Sequence, residues 1–107
     1  MAATVSAGVI ELTNANFDST MSEQPSTEGW FVEFFAPWCG HCKALAPIWE
    51  DFANNYAGEV NVGSVDCTTS KDTCTRFGVT GYPTLIYFPA GETFTVPFVG
   101  ARDVETF

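Results

Sequence analysis

Positions 30–36 are apolar with the single exception of Glu33, and a run of that length predicts a strand covered on both faces. Downstream the period changes. Leu45, Ile48, Trp49, Phe52 and Tyr56 recur at intervals of three and four, the apolar face of a helix starting near Cys39; Pro47 inside it removes one backbone donor and is expected to kink the helix. Residues 60–66 return to the alternation of a strand. Shorter segments complete the pattern: a strand at 9–12, a short helix opened by the polar residues around Asn14, a polar loop at 22–29, a helix at 71–77 and a strand at 84–88. A turn at 89–92 leads to a strand at 93–98, where Pro97 permits only a sheet edge. Residues 102–107 are expected to form the first turns of a last helix. This order predicts an α/β protein of three layers, α/β/α, whose central mixed sheet ends in an antiparallel strand pair.

A hydrophobic content of 46% with ten Phe and three Trp supplies one modest core, so residues 1–107 are expected to form a single domain. Charge narrows the partners. With a net charge of −9 and only four Lys and Arg, the chain has too little positive surface to neutralise nucleic-acid phosphates or an anionic membrane. No apolar run reaches the roughly 18 to 20 residues that span a bilayer. Neither a signal-peptide pattern nor a C-terminal retention tetrapeptide is present, and the chain is expected to be a piece of a longer protein whose last helix is truncated.

The chemistry concentrates in Cys39-Gly40-His41-Cys42, at the junction of the apolar strand and the long helix. Two thiols at that spacing can cycle between dithiol and disulfide. Unpaired N–H groups in the first helical turn, and the positive end of the helix dipole, favour a thiolate at Cys39. A free thiol has a pKa of about 8.5, and such motifs bring it to roughly 3.5 to 7. A protonated His41 would add positive charge beside the same sulfur. Cys39 is thus expected to be the accessible nucleophile and Cys42, one turn further on, the sheltered thiol that resolves a mixed disulfide. Glu33, flanked by apolar residues, is expected to be desolvated and able to accept the Cys42 proton; a solvent-facing strand residue is the alternative.

Phe31-Val32-Glu33-Phe34-Phe35-Ala36-Pro37-Trp38-Cys39-Gly40-His41-Cys42-Lys43, with Ala46-Pro47 and the later Gly81-Tyr82-Pro83-Thr84, resembles the catalytic domains of the protein disulfide isomerases, within the thioredoxin superfamily. The resemblance runs from about Val9 to the C-terminus and implies the thioredoxin fold and its strand order. It also implies a thiol-disulfide oxidoreductase that forms, reduces and isomerises disulfides in unfolded or misfolded secretory polypeptides, in the lumen of the endoplasmic reticulum. Glutathione or a luminal sulfhydryl oxidase would be its redox partner, and no metal or organic cofactor is required. Pro83 matches the superfamily's cis-proline, leaving the Tyr82 backbone to pair with an extended substrate. With Pro37 and Trp38, Tyr82 would form an apolar docking patch. Arg102 matches an arginine that can swing toward the resolving thiol and lower its pKa; a surface arginine near a helix start is the competing account. The family's buried acid matches Glu33, but the lysine that many relatives place on the adjacent strand has no counterpart in residues 60–66.

Cys67 and Cys74 flank six residues between a strand and a short helix. A structural disulfide is the preferred reading, as in some disulfide-isomerase domains, stabilising by about 2 to 3 kcal/mol. It suits an oxidising compartment. Free buried thiols, a second redox pair and a four-cysteine zinc site are the alternatives. Two other functions stay open as well: the thioredoxin-like domain of a flavin-linked sulfhydryl oxidase, and a peptide-binding or chaperone module in which thiol turnover is secondary.

Overall fold

The computed structural model describes residues 5–6, 8–23, 28–90 and 95–97. Its elements run β1 (Val5–Ser6), β2 (Val9–Leu12), α1 (Phe17–Glu23), β3 (Trp30–Phe35), α2 (Gly40–Asn55), β4 (Asn61–Asp66), α3 (Lys71–Arg76), β5 (Thr84–Phe88) and β6 (Val96–Pro97). The six strands form one sheet in the order β1-β2-β4-β3-β5-β6. β4 lies parallel to both β2 and β3, whereas β5 and then β6 add antiparallel. The apolar run is therefore the centre of the sheet, and Pro97 sits on the edge strand, where a missing donor costs no ladder bond.

Alternation along β3 sends its side chains to two separate cores. Phe31 joins Leu45, Trp49, Phe52, Val62 and Leu85 under α2. Val32 and Phe34 join Leu12, Phe17, Val65 and Ile86 on the opposite face, against α1 and α3. Gly63 lets the layers close up: a Cβ there would stand 2.7 Å from Leu12 Cδ1. Its carbonyl accepts the Trp49 indole N–H at 3.1 Å, tying α2 to the middle of β4.

Most predicted elements occur within a residue of their expected bounds. β1 is the addition; it pairs antiparallel with β2 around Gly8, whose φ of 81° favours glycine. α2 begins at Gly40, so Cys39 is its N-cap, and the helix continues through Pro47 to Asn55. The expected helix at 102–107 lies outside the described residues, as do residues 93, 94 and 98 of the last predicted strand.

Candidate active site

β3 delivers the chain to the fully buried Ala36, whose carbonyl accepts the Cys39 N–H at 3.1 Å and so closes the turn carrying Pro37 and Trp38. Cys39 has extended backbone angles, φ −76° and ψ 119°, as an N-cap requires. Its carbonyl accepts the Lys43 N–H at 3.1 Å, and its Sγ accepts the Cys42 N–H at 3.2 Å. The sulfur thus occupies the place of a serine or aspartate oxygen at a helix start, where the dipole of sixteen residues also favours negative charge.

That geometry separates two otherwise similar thiols. The Cys39 pKa lies below the ordinary thiol value, chiefly because the Cys42 thiol donates to its sulfur; the backbone N–H groups of Cys42 and His41 act in the same direction, against burial and the charge of Glu33. Burial first, then the bond it gives Cys39, push Cys42 up to about 11. The charges of Cys39 and Glu33 add to that rise, and the Ala36 N–H opposes it. The expected contrast of an accessible and a sheltered sulfur needs correction in area: Cys39 is 8% exposed and Cys42 5%. What distinguishes them is the set of donors facing each sulfur. His41 is exposed, and its contribution to Cys39 comes through its backbone N–H.

Tyr82 packs on the cluster formed by Ala36, Cys39 and Cys42, and the peptide joining it to the buried Pro83 is cis. The Trp38 ring stands edge-on to Tyr82 with centroids 5.7 Å apart, and is 69% exposed. An apolar side chain so far out of the core leaves a patch beside the thiols that water wets poorly.

Glu33 is 5% exposed, which excludes the solvent-facing alternative. In the sheet it stands opposite Ser64 on β4 and Leu85 on β5. It shares with Cys42 the lining of a cleft of about 380 Å³ between α2 and the β2-β4-β3 side of the sheet. Sequence reasoning missed the Ala36 N–H and Ser64, which only the turn geometry and the strand register bring to the site. Arg102 lies outside the described residues.

Cys67, immediately after β4, is bonded to Cys74 in α3, with Cα atoms 5.8 Å apart. The Cys67 N–H donates to the Phe35 carbonyl at 2.8 Å, so this bridge braces the strand that carries the dithiol. The four cysteines therefore form two separate pairs. Among the described residues, no group of three or more His, Cys, Asp or Glu is placed to hold a metal ion, and no helix is long and apolar enough to cross a membrane.

The sequence is 46% identical, over 92% of its length, to protein disulfide-isomerase like 2-2 of Arabidopsis thaliana, covering 22% of that protein. It is 51% identical, over 78% of its length, to protein disulfide-isomerase A3 of Gallus gallus, covering 16% of it. The chain thus spans about a fifth of the length of such relatives. Among solved structures, the first thioredoxin domain of mouse protein disulfide-isomerase A4 superposes with a TM-score of 0.83 at 32% identity, over 97% of this chain and 73% of that one. The J-Trx1 fragment of ERdj5 gives 0.79 at 37% identity, over 92% and 47%. The mixed sheet with helices on both faces is the thioredoxin fold, and the Thioredoxin family model matches residues 8–107. Fold, dithiol and this match across nearly the whole sequence place the chain in the thioredoxin family, among the domains most like those of protein disulfide-isomerases.

Proposed function

We propose that this chain is a catalytic thioredoxin-like unit of a disulfide isomerase, exchanging disulfides with unfolded or misfolded polypeptides in the lumen of the endoplasmic reticulum. One observation carries the reading: the sulfur of Cys39 caps α2 and is held toward its thiolate, while Cys42 keeps its proton up to about 11. The Cys39 thiolate attacks one sulfur of a substrate disulfide, forms a mixed disulfide and expels the other as a thiolate. Cys42 gives its proton to Glu33, attacks Cys39 Sγ and releases the second substrate thiolate. The substrate has gained two electrons and the Cys39–Cys42 bond holds the oxidised equivalent; in reverse, the same steps oxidise a substrate dithiol. Attack of a substrate thiol on the mixed disulfide instead yields isomerisation without net oxidation.

Trp38, Tyr82 and the cis-Pro83 form the docking patch, where an extended peptide meets the backbone beside the thiols. Reoxidation falls to glutathione or a luminal sulfhydryl oxidase. Reactivation of a scrambled disulfide protein by the wild-type chain and by a Cys39→Ser, Cys42→Ser double variant tests the reading. Reactivation falls to background in the double variant; full retention would make the chain a peptide-binding module instead.

A further inference from the structure

The strand register aligns three polar side chains in one row across the sheet. Glu11 on β2 stands beside Ser64 on β4, and Ser64 stands beside Glu33 on β3. Neighbouring strands are about 4.8 Å apart, so the row advances in short steps. Exposure rises along it: Glu33 is buried, Ser64 half-buried and Glu11 exposed. All three line the cleft that Cys42 also lines, on the face covered by α2. The row therefore joins the acid beneath the resolving thiol to the protein surface.

We propose that Ser64 and Glu11 form the exit by which the proton that Glu33 takes from Cys42 reaches solvent. The inference rests on the proposed role of Glu33 as that acceptor. A hydroxyl both donates and accepts, so Ser64 can pass a proton that an apolar side chain there would stop. Water completes the row: a cleft of about 380 Å³ has room for several molecules of about 30 Å³ each.

Among the described residues, the neighbouring rows of the sheet offer no comparable run of polar side chains. The row below is apolar, Phe31 beside Val62, and on the other side of Glu33 stands Leu85. The row above ends at Asp66, whose Oδ1 already accepts the Thr68 N–H at 2.9 Å and the Thr68 hydroxyl at 2.6 Å. Among the described residues, the remaining charged groups on the cleft are Lys43 and Glu50, both exposed on α2. Among the described residues, Ser64 and Glu11 are the polar side chains in register with Glu33 along the cleft toward the surface.

The test isolates the step that sheds the proton. Mixing the reduced protein with an aromatic disulfide such as dithiobis(nitrobenzoate) releases one coloured thiolate when Cys39 attacks. A second follows when Cys42 attacks the mixed disulfide, closing the Cys39–Cys42 bond and losing one proton. In weak buffer the second phase is expected to slow about fivefold in Ser64→Ala and about twofold in Glu11→Gln, a small part of what a positioned proton acceptor supplies. Its pH profile shifts, the first phase stays at the wild-type rate, and added imidazole, a diffusible base, restores the second. Glu50→Gln, on the same cleft outside the row, leaves both phases unchanged. A second phase unaltered in Ser64→Ala and Glu11→Gln overturns the exit, as does a slowing that imidazole does not relieve. Glu33→Gln separates the two layers of the argument. If it leaves the second phase at the wild-type rate, the acceptor role itself fails; if it slows that phase while the row variants do not, only the exit fails.

Discussion

Each cysteine pair occupies a place where a strand hands over to a helix, yet one stands as a dithiol and the other as a bridge. Cys67 and Cys74 lie among Leu12, Phe17 and Phe34, in an apolar core. Cys39 and Cys42 lie against Ala36, Phe35 and Tyr82, at the head of a sixteen-residue helix and above a buried carboxylate. An apolar surrounding disfavours thiolate and keeps a bond closed; aimed N–H groups favour thiolate and make opening and closing cheap. Surroundings, more than spacing, assign one pair to structure and the other to exchange.

Redox titration probes this contrast at its largest. Cys39–Cys42 is expected near about −180 mV, as in disulfide isomerases, and Cys67–Cys74 below about −300 mV, a gap of roughly 10⁴ in equilibrium constant. Mass spectrometry of alkylated samples across glutathione buffers resolves both; coincident midpoints would erase the distinction. Removing the bridge with Cys67→Ala and Cys74→Ala together is expected to cost about 2 to 3 kcal/mol in urea unfolding and to leave Cys39 labelling unchanged. A loss of labelling there would mean that the bridge also shapes the reactive pair.

Within the dithiol, iodoacetamide is expected to label Cys39 first at neutral pH. The lead is on the order of tenfold or more once the weaker nucleophilicity of a low-pKa thiolate is discounted. Equal initial rates by peptide mapping would contradict the capped geometry. Stability against pH probes the same pair without a reagent. Cys42 is raised from 9.0 to about 11, so its contribution to the dithiol form is complete below pH 9 and is lost as pH climbs through 11. Cys39 is lowered, so its contribution is present above 9.0 and lost as acid reprotonates it. Urea midpoints of the dithiol form should therefore fall between pH 9 and 11, relative to the form with Cys39–Cys42 closed.

Long or strongly patterned segments were legible from sequence because periodicity reports burial. β3, α2 and β5 stand where their apolar residues put them, and Glu33 is buried because its neighbours on both sides are. β1 was not legible, since two residues carry no period. The place of β4 between β2 and β3 came from family resemblance, as alternation along a strand says nothing of its neighbours. For the same reason the row of Glu11, Ser64 and Glu33 was invisible: their positions mean nothing until register aligns them. The burial of Cys39 was missed because a position at a strand–helix junction does not show which distant residue packs over it; here Tyr82 packs on the cluster that holds it.

A sulfur that caps a helix ties covalent chemistry to the main chain. When Cys39 bonds to a substrate or to Cys42, its negative charge disappears, and the Cys42 amide, now 3.2 Å from that sulfur, faces a neutral and weaker acceptor. That single proton becomes an internal spectroscopic gauge of turnover. Its chemical shift and exchange rate report each oxidation event in solution, with no dye on either thiol.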